Sequence, residues 1–227
     1  MRTPPKQMLP VVPTGGTSDK PSPVGDLVLD VARCRPIDAY FALVDVVNPR
    51  PIGWISTLSP EGKVNLAPYS FFNAVSGRPP MVAFSAAFKR DGSKKDSHRN
   101  AELTGEFVCN AATSALIEQV NLSSKELPYG DSEVDLTGLT LLPSTKVKPP
   151  RIAEAPVHME CKVWQILPLG DNPSAHLIIG EVLVFHIAAQ VLNDQRRIDP
   201  HKLQTVGRLG GDWYCHSTDL FTLKRPG

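Results

Sequence analysis

Two long β-prone runs lie back to back in the second half of the chain: VHMECKVWQIL at 157–167 and HLIIGEVLVFHI at 176–187. Asp171-Asn172-Pro173-Ser174 stands between them, a cluster of turn formers. Both runs are rich in β-branched and aromatic residues, so the pattern predicts a hairpin. Its strands are about twice the common length of five or six residues. The second run is nearly continuous in apolar residues, which predicts burial on both faces. A strong hairpin of this kind belongs with the other strands of a mostly β chain.

Further strands are legible. IGWISTL (52–58) and KVNLAPYSFF (63–72) flank Ser59-Pro60-Glu61-Gly62, with Pro and Gly where a tight turn wants them. Pro68 cannot donate to a ladder, so the returning strand is an edge or carries a bulge. Gly77-Arg78-Pro79-Pro80 is a second turn, MVAFSAA (81–87) a third strand and EFVCNAA (106–112) a fourth. A helix is expected over 94–104, with Ser93 as N-cap, Asp96 three residues on and Gly105 as its stop. Another begins at Thr113 or Ser114, with Leu116, Ile117 and Val120 on one face. Segment 123–150 reads as loop, and Gly210-Gly211 as a turn beside Trp213 and Tyr214. Many strands with few short helices predict a mostly β fold, an antiparallel barrel. No G-x-G-x-x-G follows a strand and no Walker lysine motif exists, which removes dinucleotide and P-loop readings. Residues 1–25, rich in Pro, Gly, Ser and Thr, read as a flexible arm, and 26–227 as the folded domain.

The net charge is +1 on 227 residues, so no nucleic-acid or membrane surface is indicated. No apolar run reaches the ~20 residues of a membrane span, and no secretory h-region is evident. Cys34, Cys109, Cys161 and Cys215 are widely spaced and read as buried thiols of a reducing compartment. A cytoplasmic location is the expectation. The six histidines lack metal-ligand spacing, and no metal is assigned.

GSKKDSHRNAELTG (92–105) crowds hydroxyls and cations at a helix start. The first N–H groups of a helix are unpaired and partly positive, a natural anion seat. Ser93, Lys94, Lys95 and Ser97 add donors, and Lys89, Arg90 and Arg99 widen the field. A solvated basic loop is the alternative. In NLAPYSFFNAVSG (65–77), adjacent Phe71 and Phe72 between Ser70 and Asn73 fit either a loop facing a flat ligand or a bulged edge strand. Ser56, Thr57 and Ser85 offer hydroxyls to a ligand's polyol chain, or else to nearby backbone.

RPIGWISTL (50–58), NLAPYSFFNAVSGRPPMVAFS (65–85) and KDSHRNAELTGEFVCN (95–110) together resemble the flavin reductase-like family with an FMN-binding split barrel. RIAEAPVHMEC (151–161), IIGEVLVFHI (178–187) and RLGGDWY (208–214) are similar to its later blocks, in order, so the resemblance covers roughly 35–225. It implies that the anion is the FMN phosphate, held at Lys95-Asp96-Ser97. It implies further cofactor contacts at Arg50, Trp54, Ser56, Thr57, Ser70, Phe71, Phe72, Asn73, Ser85 and Arg208. FAD or riboflavin are alternative cofactors. The implied activity is NAD(P)H:flavin reduction, with electrons passed to free flavin or a partner oxygenase. A flavoredoxin-like electron carrier without its own NAD(P)H site is the alternative. The flavin carries the chemistry, so no catalytic side chain is expected. A homodimer with the flavin near its interface is implied.

Overall fold

The computed structural model describes residues 25–171 and 173–227. The arm expected over 1–25 lies outside the described residues except for Gly25, as does Asn172 of the hairpin turn. The described chain forms two compact units.

The first unit comprises residues 25–48 with Leu209–Trp213. Its helix α1 (Pro36–Val46) is not anticipated by the sequence reading. Pro36 occupies the first turn, where its missing N–H costs nothing. Arg35 grips Asp38 through Nε and Nη2 at 2.8 and 2.7 Å. Gly210 is required here, because a Cβ would collide with the Asp45 carboxylate.

The second unit, Pro49–Arg208 with Tyr214–Gly227, carries the sheets. In chain order its elements are β1 (Arg50–Pro51), β2 (Gly53–Leu58), β3 (Val64–Tyr69), β4 (Phe72–Gly77), β5 (Pro80–Ala87), α2 (Asp96–Thr104), β6 (Glu106–Ala111), α3 (Ile117–Leu122), α4 (Glu133–Thr137), β7 (Leu141–Leu142), β8 (Arg151–Ile152), β9 (Val157–Pro168), β10 (Ala175–Ile187), α5 (Pro200–Leu203), β11 (Val206–Arg208) and β12 (Tyr214–His216). The main sheet has seven antiparallel strands in the order β3-β2-β6-β9-β10-β5-β4. Strands β1-β11-β12 form a second sheet and β7-β8 a third.

β3 is an edge strand, as Pro68 requires, with Pro68 opposite Trp54. The turn before it closes through Ser59 N–H to the Lys63 carbonyl at 2.8 Å. Strand β4 corrects the sequence reading: the chain bends at Ser70-Phe71, and Phe72–Gly77 is a separate edge strand on β5, bulged at 74–76. α4 corrects the reading of 123–150 as loop.

Although β3 and β5 are far apart in strand order, Tyr69 packs on Phe84 with ring centroids 4.8 Å apart, so the sheet curls around its core. Phe107 meets Phe84 edge-on at 5.3 Å. Gly180 must lack a side chain because a Cβ would lie 2.4 Å from the Phe107 ring. A second cluster, with Trp54, Leu66, Val120, Val134 and Ile152, packs on the other side of β2. That explains why β2 is buried along nearly all of its length.

The β9–β10 hairpin forms, and its alternation corrects the expected two-sided burial. Leu183, Phe185 and Ile187 are 42, 51 and 39% exposed. Leu183 sits at a register shift between Val182 and Val184, Phe185 and Ile187 share a face beyond it, and Trp164 on β9 is exposed as well.

Candidate functional site

α2 begins later than expected, at Asp96, with Lys95 as N-cap and no capping side chain. The Ser93 cap does not form because Asp91 captures it. Ser93 Oγ donates to Asp91 Oδ1 at 2.6 Å, and its N–H donates to the same oxygen at 2.9 Å. Asp96 pairs with Lys89 at 2.8 Å instead of bonding back to Ser93. The stop is as expected: Gly105 takes φ +71° and bonds to the Ala101 carbonyl at 2.9 Å. The opening N–H groups of a nine-residue helix are therefore left to another partner.

A pocket of about 100 Å³ lies at this helix start. β3 contributes Asn65 and Tyr69, the helix start contributes Lys95, Asp96 and Ser97, and the loop after α3 contributes Ser124 and Lys125. Ser97 is held in place, its Oγ accepting from Asn65 Nδ2 at 2.8 Å. Tyr69 is 6% exposed, and its hydroxyl has Ser97 as a polar neighbour but no hydrogen bond of good geometry. Burial pushes its phenol well above the usual range, so it is a neutral donor at physiological pH. Glu133 closes the pocket, accepting the Leu66 N–H at 2.9 Å, and burial raises its carboxyl.

The cations sort into paired and unpaired. Lys94 bonds Glu102 at 2.7 Å, Lys89 bonds Asp96, and Arg99 stacks on Tyr129 at 4.0 Å. Lys95 makes no ion pair among the described residues; its ammonium sits 5.9 Å from the Tyr69 ring centroid. An orphaned buried hydroxyl, an uncapped helix start and an unpaired lysine converge on one small cavity, and that donor set fits a phosphate.

The remaining sequence candidates fall into two sets. Trp54, Ser56 and Thr57 are fully enclosed. Trp54 Nε1 donates to Ser123 Oγ at 2.9 Å, Ser56 Oγ donates to the Pro150 carbonyl at 2.6 Å, and Thr57 Oγ1 accepts from Asn100 Nδ2 at 3.1 Å. Their polar atoms serve the fold, the second option open to the hydroxyls in sequence. Trp54 fixes Ser123, next to the pocket loop. The other set gathers around the bend at Ser70-Phe71. Arg50 lies 5.9 Å from the exposed Phe71 ring, and the Phe71 carbonyl accepts the Ser85 N–H at 2.8 Å. Phe72 turns toward the core, where it excludes a Cβ at Gly53. Asn73 is exposed and its Oδ1 accepts the Ala74 N–H. Arg208 pairs in register with Arg50 and stacks on Tyr214 at 4.4 Å. Gly53 faces Tyr69 across the β2–β3 ladder, so the bend follows directly on the pocket wall.

Sequence reasoning missed Tyr69, Asn65, Ser124, Lys125 and Glu133. Alternation from Phe72 offered no hint of Tyr69's orphaned hydroxyl, and the loop residues carry no local signal. Of the four cysteines, Cys109 and Cys161 are buried as expected, while Cys34 and Cys215 are only half-buried. Among the described residues, no group of three or more His, Cys, Asp or Glu is placed to hold a metal ion, and no helix is long and apolar enough to cross a membrane.

Comparison with known proteins places this geometry. A protein of uncharacterized function from Halalkalibacterium halodurans is 40% identical over 190 residues, spanning 82% of this chain and 90% of the relative. Nitrilotriacetate monooxygenase component B from Bacillus cereus superposes with a TM-score of 0.83 at 33% identity, over 87% of this chain and 98% of that one. A split barrel domain protein from Shewanella frigidimarina superposes at 0.75 over 86% of this chain and 96% of that one; at 20% identity it speaks to the fold alone. The sheet is thus the split barrel that the sequence resemblance implied. The model of the flavin reductase like domain matches residues 47–200, and the chain belongs to that family.

Proposed function

We propose that this chain binds FMN, accepts hydride equivalents from NAD(P)H onto it, and delivers electrons to free flavin or a partner oxygenase. The observation that carries the reading is the pocket at the start of α2, where Lys95, the helix N–H groups and the orphaned Tyr69 hydroxyl face one cavity. Lys95 and the helix start would hold the phosphate dianion, with Ser97 beside them. Asp96 keeps Lys89 in place. Ser70, Phe71 and Arg50 would lie along the ring system, with Ser85 and Arg208 behind them. When bound, the flavin supplies hydride and single-electron chemistry, and the protein's part is binding and orientation. Arg50 would stabilise negative charge gained at the ring on reduction. A partner oxygenase is supported by the likeness to a monooxygenase component. A homodimer is supported by the exposed apolar side chains Phe185 and Ile187 on β10.

The absorbance spectrum of the purified protein, followed by calorimetric titration with FMN, tests the reading. A one-to-one complex is expected, and a colourless protein that binds no FMN overturns it. Stopped-flow mixing of the loaded protein with NADH and NADPH is expected to bleach the flavin. A flavin that stays oxidised with both would reduce the chain to an electron carrier.

A further inference from the structure

Glu133 opens α4 and lines the pocket at the start of α2. Its helix is fixed locally: Ser132 Oγ accepts the Val134 N–H at 3.3 Å, and Gly138 ends the turn at φ +67°. Glu133 is 5% exposed. Its Oε2 accepts the Leu66 N–H at 2.9 Å, and no ion pair reaches it among the described residues. Asp96, buried on the same lining, differs in being paired with Lys89 at 2.8 Å. A buried carboxylate without a counter-ion is costly, and the cheap remedy is a proton.

The groups around Glu133 come from four directions. β3 supplies the Leu66 N–H and the Tyr69 phenol, and the α2 start supplies Lys95 and Asp96. Lys89 comes from the segment before α2, and Lys125 and Glu126 from the loop after α3. Burial, the largest influence, pushes the Glu133 carboxyl up. The Leu66 N–H and its own N–H pull it down, Asp96 adds to the rise and Lys89 opposes it. The cavity is only about 100 Å³. An anion inside it comes within the roughly 4–6 Å over which a like charge drives a carboxyl to its neutral form.

We infer that Glu133 takes up one proton from solvent when a flavin phosphate enters this pocket, and faces it as a neutral acid. The inference rests on the flavin reading and adds to it the residue that sets how binding depends on pH. In the neutral form Glu133 loses the charge that would repel the phosphate and gains an O–H to donate. The Leu66 N–H keeps an acceptor in either form, so the wall of the pocket need not move. A proton taken up on binding makes binding tighter as pH falls. A phosphate monoester is a dianion above its second pKa of about 6, so at pH 7.5 and above the proton goes to the protein.

The test is calorimetric titration of the full-length, flavin-free protein with FMN at pH 7.5, in buffers of different ionisation enthalpy. The dependence of the heat on the buffer counts protons, and uptake close to one per FMN is expected. Between pH 7.5 and 8.5 the FMN Kd is expected to rise by up to about tenfold, the slope of one proton. Glu133→Gln keeps an oxygen for the Leu66 N–H but cannot titrate. It is expected to take up no proton, to give a flat profile and to bind FMN more tightly than the parent at pH 8.5. If Glu133→Gln does not melt cooperatively, infrared difference spectra of the parent decide: FMN binding is expected to replace a carboxylate band by a protonated carboxyl band. FMN bound without proton uptake overturns this inference and leaves the flavin reading standing. Uptake that persists in Glu133→Gln, or an infrared spectrum without the carboxyl change, overturns it by giving the proton to the phosphate or another group. Failure to bind FMN at any pH overturns both.

Discussion

Tyr69→Phe has opposite expected effects on the free and the loaded protein, and that opposition is the sharpest check on the anion pocket. The ring packs on Phe84 at 4.8 Å and belongs to the barrel core, and phenylalanine keeps that packing. Only the hydroxyl is removed, and it is buried beside Ser97 without a hydrogen bond of good geometry. An unsatisfied buried donor costs about 1–3 kcal/mol. Without ligand, the variant is therefore more stable than the parent by up to about 1–2 kcal/mol, less whatever the Ser97 contact contributes. For a domain of this size, each kcal/mol moves the melting temperature by about 2–4 °C, so the flavin-free melt rises by up to several degrees. With FMN the sign reverses. A hydrogen bond to a charged group is worth about 1.5–3 kcal/mol, and each 1.4 kcal/mol is tenfold, so the FMN Kd rises by about ten- to a hundredfold. Differential scanning fluorimetry without flavin and calorimetric titration with it read the two effects on one preparation. A variant less stable than the parent without flavin shows that the hydroxyl has a partner in the resting protein. Unchanged FMN affinity shows that the phosphate does not sit against Tyr69.

Lys95→Ala is expected to weaken FMN by about 1–3 kcal/mol, the scale of a lost charged hydrogen bond, while Lys94→Ala stays near the parent because Glu102 already holds that lysine; equal losses in the same titration would refute the sorting of the cations. Gly180→Ala drives a methyl into the Phe107 ring and is expected to cost about 1–3 kcal/mol, as overpacked cores do, measured by urea unfolding. His98 is buried and its pKa is lowered to about 4, by burial first and then by His176 and Lys94. The folded state therefore resists a proton that the unfolded chain takes up below about 6.5. Stability is full above that value and falls with pH toward 4, by about 2 kcal/mol between pH 7 and 5 at 1.36 kcal/mol per unit. His98→Phe should flatten the urea-midpoint profile over that interval, and an unchanged slope would assign it to other groups.

How much of this was legible in the sequence depends on whether a feature is local. The turn at 59–62, the edge position of β3 and the stop at Gly105 were legible because Pro and Gly act through their own backbone. The N-cap at Ser93 failed for an equally local reason: Asp91, two residues upstream, competes for the same hydroxyl and wins. α1 was missed although Pro36 announces its start, because its exposed apolar residues blur the amphipathic pattern. β4 was missed because a bend at Ser70-Phe71 splits what reads as one strand. Two-sided burial of β10 was a reasonable inference from an apolar run. It fails because apolar composition reports what a strand can cover, not whether this chain supplies the cover.

The anion pocket shows where sequence reading stops in principle. Lys94 and Lys95 are adjacent and chemically identical, yet one is spent on Glu102, eight residues along, and the other faces the cavity. Seven cationic or hydroxyl side chains near the helix start looked equivalent on paper. Folding turns most of them into internal structure and leaves Lys95 without an ion pair. What marks the site is not the density of donors but the donors left over. Tyr69 makes the point most clearly, since a tyrosine ending an edge strand is an ordinary core residue until its hydroxyl proves to lack a hydrogen bond of good geometry. A fold that pairs Asn65 with Ser97, Trp54 with Ser123 and Asn100 with Thr57 has geometry enough to satisfy buried polar atoms. That it leaves Tyr69 with only a loose Ser97 neighbour, beside an uncapped helix and Lys95, is a physical reason to look for a ligand there, and it needs no family resemblance to be read.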